Sequence, residues 1–160
     1  MPRIEWNSSL SVGVEVIDKQ HMRLIDYINE LYDAIHSSTT VNDKRHRIAS
    51  VVNDAIDYTE SHFGFEETML EEAHYPYLKA HIRVHQLFVR RMLDYKKRLL
   101  KGEDIAQELL ETLGRWLINH IKNEDKDYSK WLVDEGKKPE ATENSGWLSK
   151  QLSRFFGSSS

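Results

Sequence analysis

His62-Phe-Gly-Phe-Glu66 and, beyond a turn signal at Tyr75-Pro76, His81-Ile-Arg-Val-His85 are the segments on which the fold turns. In each, two side chains able to ligate a metal stand four residues apart. That spacing stacks them on one face of an α-helix. Two such helices joined at the Pro-led corner bring four donors to one end of a hairpin, facing one ion or two adjacent ions.

The flanking sequence supplies further helices. Ile17, His21, Leu24, Ile28, Leu31 and Ile35 recur at steps of three and four, which predicts a helix with His21 in its apolar stripe. Ser37-Ser38-Thr39-Thr40 breaks that pattern, and Asn42 or Asp43 is placed to cap the next helix. The second stripe runs Ile48, Val52, Ala55, Thr59, His62, Glu66, Met69. A third reads Leu78, His81, His85, Phe88, Met92, Tyr95, Leu99, with Pro76 fitting its first turn and Gly102 its C-terminal cap. A fourth follows Ile105, Leu109, Leu113, Trp116, His120. Residues 1–16 read as an irregular arm in which Trp6, Val12, Val14 and Val16 can pack on a neighbour. A weak alternation at Leu10 to Val16 is the only hint of a strand. The expected fold is all-α: an antiparallel up-down-up-down four-helix bundle over residues 1–133, with an N-terminal arm and a C-terminal tail.

Antiparallel topology makes a geometric demand. His21, His81 and His85 lie near the starts of odd helices, and His62 and His120 near the ends of even ones. At about 1.5 Å per residue, the outward and return paths match to within about one helical turn. Five histidines and Glu66 therefore converge in one layer of the core. A lone histidine on an apolar face is ordinarily a core residue bonded to a carbonyl. Five at one level without metal would strand buried polar atoms at roughly 1–3 kcal/mol each. His36, His46 and His74 fall at turns or helix starts and read as surface residues. The last donor is ambiguous from spacing. Glu124 is four residues after His120, and Asp125 is five. If Asp125 is the ligand, the helix must loosen or kink between Ile121 and Lys126.

Composition bounds the chemistry. The chain has 160 residues, is 30% charged and 39% hydrophobic, and fits one soluble domain. A formal charge of −4 argues against non-specific nucleic-acid binding. No cysteine is present, so any metal is held by imidazole and carboxylate, which accept iron, manganese or zinc. The charged N-terminus lacks a secretory apolar run, and no stretch approaches the roughly 20 apolar residues of a membrane span. The expected location is cytoplasmic.

The ordered set His21, His62-x-x-x-Glu66, His81-x-x-x-His85, His120-x-x-x-x-Asp125 resembles the hemerythrin family of di-iron proteins, in its single-domain bacterial form (bacteriohemerythrin). Trp6-Asn7, Val12-Gly13-Val14, Ile17-Asp18-Lys19-Gln20-His21 and Trp116-Leu117-Ile118-Asn119-His120-Ile121 share the likeness, which covers residues 3–133. It matches all seven ligand positions and selects Asp125 over Glu124. The resemblance implies that His81, His85 and His120 hold one iron and His21 and His62 the other. Glu66 and Asp125 would bridge the two irons, together with an oxo or hydroxo group. One position then stays open, on the iron of His21 and His62, where dioxygen binds and leaves reversibly.

Five neutral imidazoles also carry less negative charge than the carboxylate-rich di-iron sites of ferritin-like bundles, which favours reversibility. Leu24, Phe63, Phe88, Trp116 and Leu117 lie one helical step from ligands and resemble the family's oxygen pocket. The expected role is oxygen storage, delivery or sensing rather than enzymatic turnover. The alternatives are a di-iron oxidoreductase acting on peroxide, nitric oxide or ferrous iron, and an adaptor reporting oxygen state.

Residues 134–146 read as a polar linker. In residues 147–160, Trp147, Leu148, Leu152, Phe155 and Phe156 form one face of a short amphipathic helix beside Lys150 and Arg154. That segment either folds back on the bundle or contacts a protein partner or membrane surface.

Overall fold

The computed structural model describes residues 2–136, and the bundle's ends follow from local chemistry. Helix α1 spans Glu15–Ile35, with the carboxylate of Asp18 in its first turn. Helix α2, Val41–Glu72, starts earlier than Asn42 or Asp43 would allow as caps. Thr40 is the N-cap, its hydroxyl accepting from the Asp43 amide at 3.2 Å. Helix α3 spans Leu78–Leu100. Pro76 stands two residues before it, in the corner, where its missing N–H leaves no helical bond unmade. The corner turns on His74, at φ 59°. Gly102, at φ 83°, closes α3 as expected: its amide reaches the Leu99 carbonyl at 3.0 Å and the Glu103 amide reaches that of Arg98 at 3.1 Å.

Helix α4, Ala106–His120, runs through π-helical turns at Ile121–Asp125 into α5, Lys126–Asp134. The fourth rod is thus one helix with a widened middle. The rods alternate in direction, with α2 packed on α1 and α3, and α4 on α1. Nearly every residue of the four expected stripes is buried, while Ile35, Leu78, Leu99 and Trp116 are half-buried at their edges. Among the described residues no helix is long and apolar enough to cross a membrane.

The arm does not form a strand. Leu10, Val12 and Val14 are buried between more exposed neighbours, so the alternation is real, but among the described residues no second strand pairs with it. It lies across the bundle end as a strap. The Val12 amide and the Ser11 hydroxyl donate to the Asp18 carboxylate at 2.9 and 2.6 Å. Lys126 donates to the Ser9 carbonyl at 2.8 Å, and Ser129 donates to the Val12 carbonyl. Farther back, Asn29 and the Ile4 backbone exchange two hydrogen bonds at 2.8 and 2.9 Å. The strap therefore ties the start of α1 to α5, over the end where the histidines gather. Helix α5 continues through Asp134, the first residue assigned above to the linker. The remainder of that linker beyond Gly136, and the whole of 147–160, lie outside the described residues.

Candidate metal centre

The four rods deliver His21 from α1, His62 and Glu66 from α2, His81 and His85 from α3, and His120 and Asp125 from the fourth rod to one layer. All are nearly or wholly buried, the most exposed being His81 at 4%. The π-helical turns explain the awkward last pair. Five residues on a regular α-helix would place Asp125 about 140° away from His120. The wider turn brings it back, so that an Asp125 oxygen lies 3.0 Å from His120 Nε2. Glu124 instead reaches outward, 3.6 Å from the far nitrogen, His120 Nδ1.

Ligand atoms fall into two groups, each within a sphere that one ion could occupy: Glu66, His81, His85, His120 and His21, His62, Glu66, Asp125. Glu66 belongs to both. One of its oxygens contacts His81 and lies 3.3 Å from His85, and the other lies 3.4 Å from His62. Asp125 also lies between the groups, with one oxygen 2.9 Å from His21 Nε2 and the other 3.0 Å from His120. Three imidazoles thus gather in one group and two in the other, with Glu66 in both and Asp125 within reach of His21 and His120.

The buried polar atoms of the layer test whether a cation fits it. His21 Nε2 and Asp125 stand 2.9 Å apart, yet neither makes a directed hydrogen bond. His62 Nε2 is likewise buried without a partner. Lone pairs that converge without pointing at one another are arranged for an ion at their common focus. Left unmet, each such group would cost roughly 1–3 kcal/mol. Donor chemistry and geometry therefore fit a pair of imidazole- and carboxylate-bound ions.

Protonation follows the same pattern. Burial drives His62 down to about 3, so it is a neutral ligand. Burial also opposes charge on His120, but the Asp125 carboxylate outweighs it and holds that imidazole well above its ordinary value. For His85 burial is outweighed by Glu66 and Glu67, again raising it. Glu66 is buried as well, and hydrogen bonds from His120, His81 and His85 keep it ionised, well below the usual carboxylate range.

Three partners that spacing did not single out orient these ligands. Gln20 Oε1 lies 2.5 Å from His62 Nδ1, which fixes Nδ1 as the donor and turns the Nε2 lone pair inward. Glu67 does the same for His85 at 3.0 Å. Tyr128, fully buried on α5, donates to Glu66 at 3.1 Å. Its phenol is held well above the ordinary range by burial, then by Glu66 and Asp125, so it remains a donor. Gln20 adjoins His21 and Glu67 adjoins Glu66, a signal available in sequence. Tyr128 carried none.

Apolar residues seal one side. Phe63 stacks on His85 at 3.7 Å between ring centroids, and Trp116 stacks on both Phe88 and His120 at 3.6 and 4.5 Å. A small apolar cavity of about 20 Å³ lies one helical turn from the donors. Leu24, Phe88, Trp116 and Leu117 line it, and Phe63 stands behind Phe88 and Trp116 rather than in the wall. The lining also includes Tyr27, Ile28, Ala55, Thr59 and Leu113, which the expected pocket did not. His36, His46 and His74 are exposed, as expected.

Residues 12–132 match the family model described as the hemerythrin HHE cation binding domain. A bacteriohemerythrin of Pseudomonas aeruginosa is 42% identical over 166 aligned residues, covering 98% of this chain and all of the relative. One of Stenotrophomonas maltophilia is 40% identical, with the same coverage. A more distant one, of Methylococcus capsulatus, is 30% identical over 82% of this chain and 98% of its own. A solved wild-type hemerythrin superposes with a TM-score of 0.73 at 27% identity, covering 81% of this chain and 97% of that one. With fold, donor layer and these likenesses in agreement, the chain belongs to the hemerythrin family.

Proposed function

We propose that this protein binds dioxygen reversibly at a non-haem di-iron centre and serves as an oxygen carrier or sensor rather than a catalyst. The observation that carries this reading is the pair of donor groups sharing Glu66 beside an apolar cavity. An iron pair held by these residues would supply the two electrons that dioxygen takes up on binding, and the irons would recover them when it leaves.

The protein's own residues do the rest. In this reading His81, His85 and His120 hold one ion, His21 and His62 the other, and Glu66 and Asp125 span both. The two-histidine side has the fewer protein donors and so leaves room for a guest. Leu24, Thr59 and Leu117 of its lining each stand three residues, about one helical turn, from His21, His62 and His120. Its volume admits a single small molecule. The lining is almost wholly apolar, which favours a gas over water, and Phe63, Phe88 and Trp116 exclude solvent behind it. The Thr59 hydroxyl is already bonded to the Ala55 carbonyl at 2.7 Å, leaving little polarity to hold water. Gln20, Glu67 and Tyr128 keep the donors in place between the two states.

The decisive experiment loads the protein with ferrous iron and cycles it between dioxygen and argon while recording the visible spectrum. A charge-transfer band that appears with oxygen and vanishes under argon through repeated cycles supports the carrier. Irreversible oxidation on first exposure, with turnover of added peroxide, overturns it in favour of an oxidoreductase.

A further inference from the structure

At the end of the bundle away from the donor layer, a groove of about 300 Å³ runs between the first turns of α2 and the last turn of α3. It has no residue in common with the metal centre, and Ile48 in its lining stands roughly 20 Å along α2 from His62. The floor is apolar: Ile48, Val52 and Ala106 are buried there, and Leu99 is half-buried. Val41 and Leu100 line it as well, 66% and 74% exposed, so the lip is also apolar.

The charges around this trough are unbalanced. Lys44, Arg45 and Lys96 line it, and among the described residues none of the three makes an ion pair. Lys44 and Lys96 are half-buried, where an ammonium without an anion is costly. Glu103 and Asp104 are the acids of the lining, and Glu103 is already engaged, accepting from Arg98 Nε at 2.6 Å. Three cations therefore stand against the carboxylate of Asp104. We propose that the groove binds a free medium-chain fatty acid, its chain on Ile48, Val52 and Leu99 and its carboxylate held by Lys44, Arg45 and Lys96.

Three features select this occupant. The volume lies at the lower end of small-molecule sites, roughly 300–1,000 Å³, which suits a single chain. The lining follows the pattern of such sites: mostly apolar, with a few polar groups to fix orientation, in a cleft between helices of a bundle. The excess of unpaired cations selects an anion over a neutral or cationic amphiphile.

The test titrates octanoate, decanoate and dodecanoate into the full-length, iron-loaded protein by calorimetry, below their micellar concentrations. Saturable one-to-one binding is expected, tightening about fourfold for each added methylene until the groove is full. A Lys44→Gln, Lys96→Gln variant should bind decanoate about tenfold more weakly and octanol as well as the wild type does. Ala49→Phe should block both ligands by filling the groove. Neither variant touches the donor layer, so melting temperature and iron content serve as folding controls. Should Ala49→Phe not fold, the lysine pair still decides.

Heat that never saturates, or an affinity independent of chain length, overturns the proposal. Equal decanoate binding in the wild type and the lysine variant does so too. Binding to anionic phospholipid vesicles with none to free decanoate overturns it and assigns the face to a membrane surface. A dimer that forms with rising concentration and ignores decanoate overturns it in favour of a second copy of the chain. None of these outcomes depends on what the irons do.

Discussion

The two sides of the donor layer are built differently. His81, His85 and His120 crowd one side, with ring centroids 4.4 to 5.4 Å apart, backed by stacked Phe63 and Trp116. His21 and His62 stand alone on the other, edge to face at 5.0 Å. The crowded side is a closed holder. The sparse side has one imidazole fewer, and both lean on Glu66.

Glu66→Ala breaks the comparison most completely. It removes a donor from both groups and strips the hydrogen bond from Tyr128. Metal analysis should find both ions lost, and retention of two ions would refute the shared role. Next comes a pair of variants. His21→Ala leaves the sparse side one imidazole and should yield protein with a single ion. His81→Ala leaves its side as rich as the other and should retain two ions, more weakly held. Stoichiometries in the opposite order would reverse the assignment of holder and open side.

Smaller effects come from the orienting partners. Gln20→Ala and Glu67→Ala should each weaken iron binding by about 10- to 100-fold, a range typical of groups that align ligands. The Gln20 change should act on the sparse side and the Glu67 change on the crowded one. Competitive titration with a chelator would separate them.

Acidity sharpens the contrast. His85 and His120 are raised above the ordinary imidazole value of about 6.5. A raised imidazole contributes stability that is complete below its unfolded pKa and lost as pH rises through its folded one. From this pair, the metal-free protein should melt at lower temperature as pH climbs above about 6.5. Iron must displace the same protons, so its binding should tighten over that range. Parallel thermal melts with and without iron would show the two trends diverge. The smallest expected effect is Tyr128→Phe, a loss of about 1 kcal/mol of stability with both ions retained.

Much of this was legible in the residues. The steps of three and four define four helices, and antiparallel topology alone puts His21, His62, His81, His85 and His120 at one level. The His120–Asp125 mismatch even foretold a distortion, found as the π-helical turns. Other features were hidden for physical reasons. Thr40 outcompeted two equally plausible caps because its hydroxyl meets the Asp43 amide. The alternation at Leu10, Val12 and Val14 signals one buried face, and a strap on helices buries one face as well as a strand does. Tyr128 lies 62 residues from Glu66 along the chain, so no local pattern could have joined them.

The widened stretch at Ile121–Asp125 has a bearing on how this chain tolerates change in length. A π turn behaves as a regular helix that has absorbed one surplus residue. It advances the phase so that Asp125, Tyr128, Ser129 and Leu132 all face inward together. Losing a single residue within 121–124 would restore ordinary winding and leave that register nearly intact. The same loss anywhere in α3 would rotate a whole flank by about 100° and scatter its side chains. The bulge is a slip joint, the place where this rod can shorten by one notch without turning its face from the bundle.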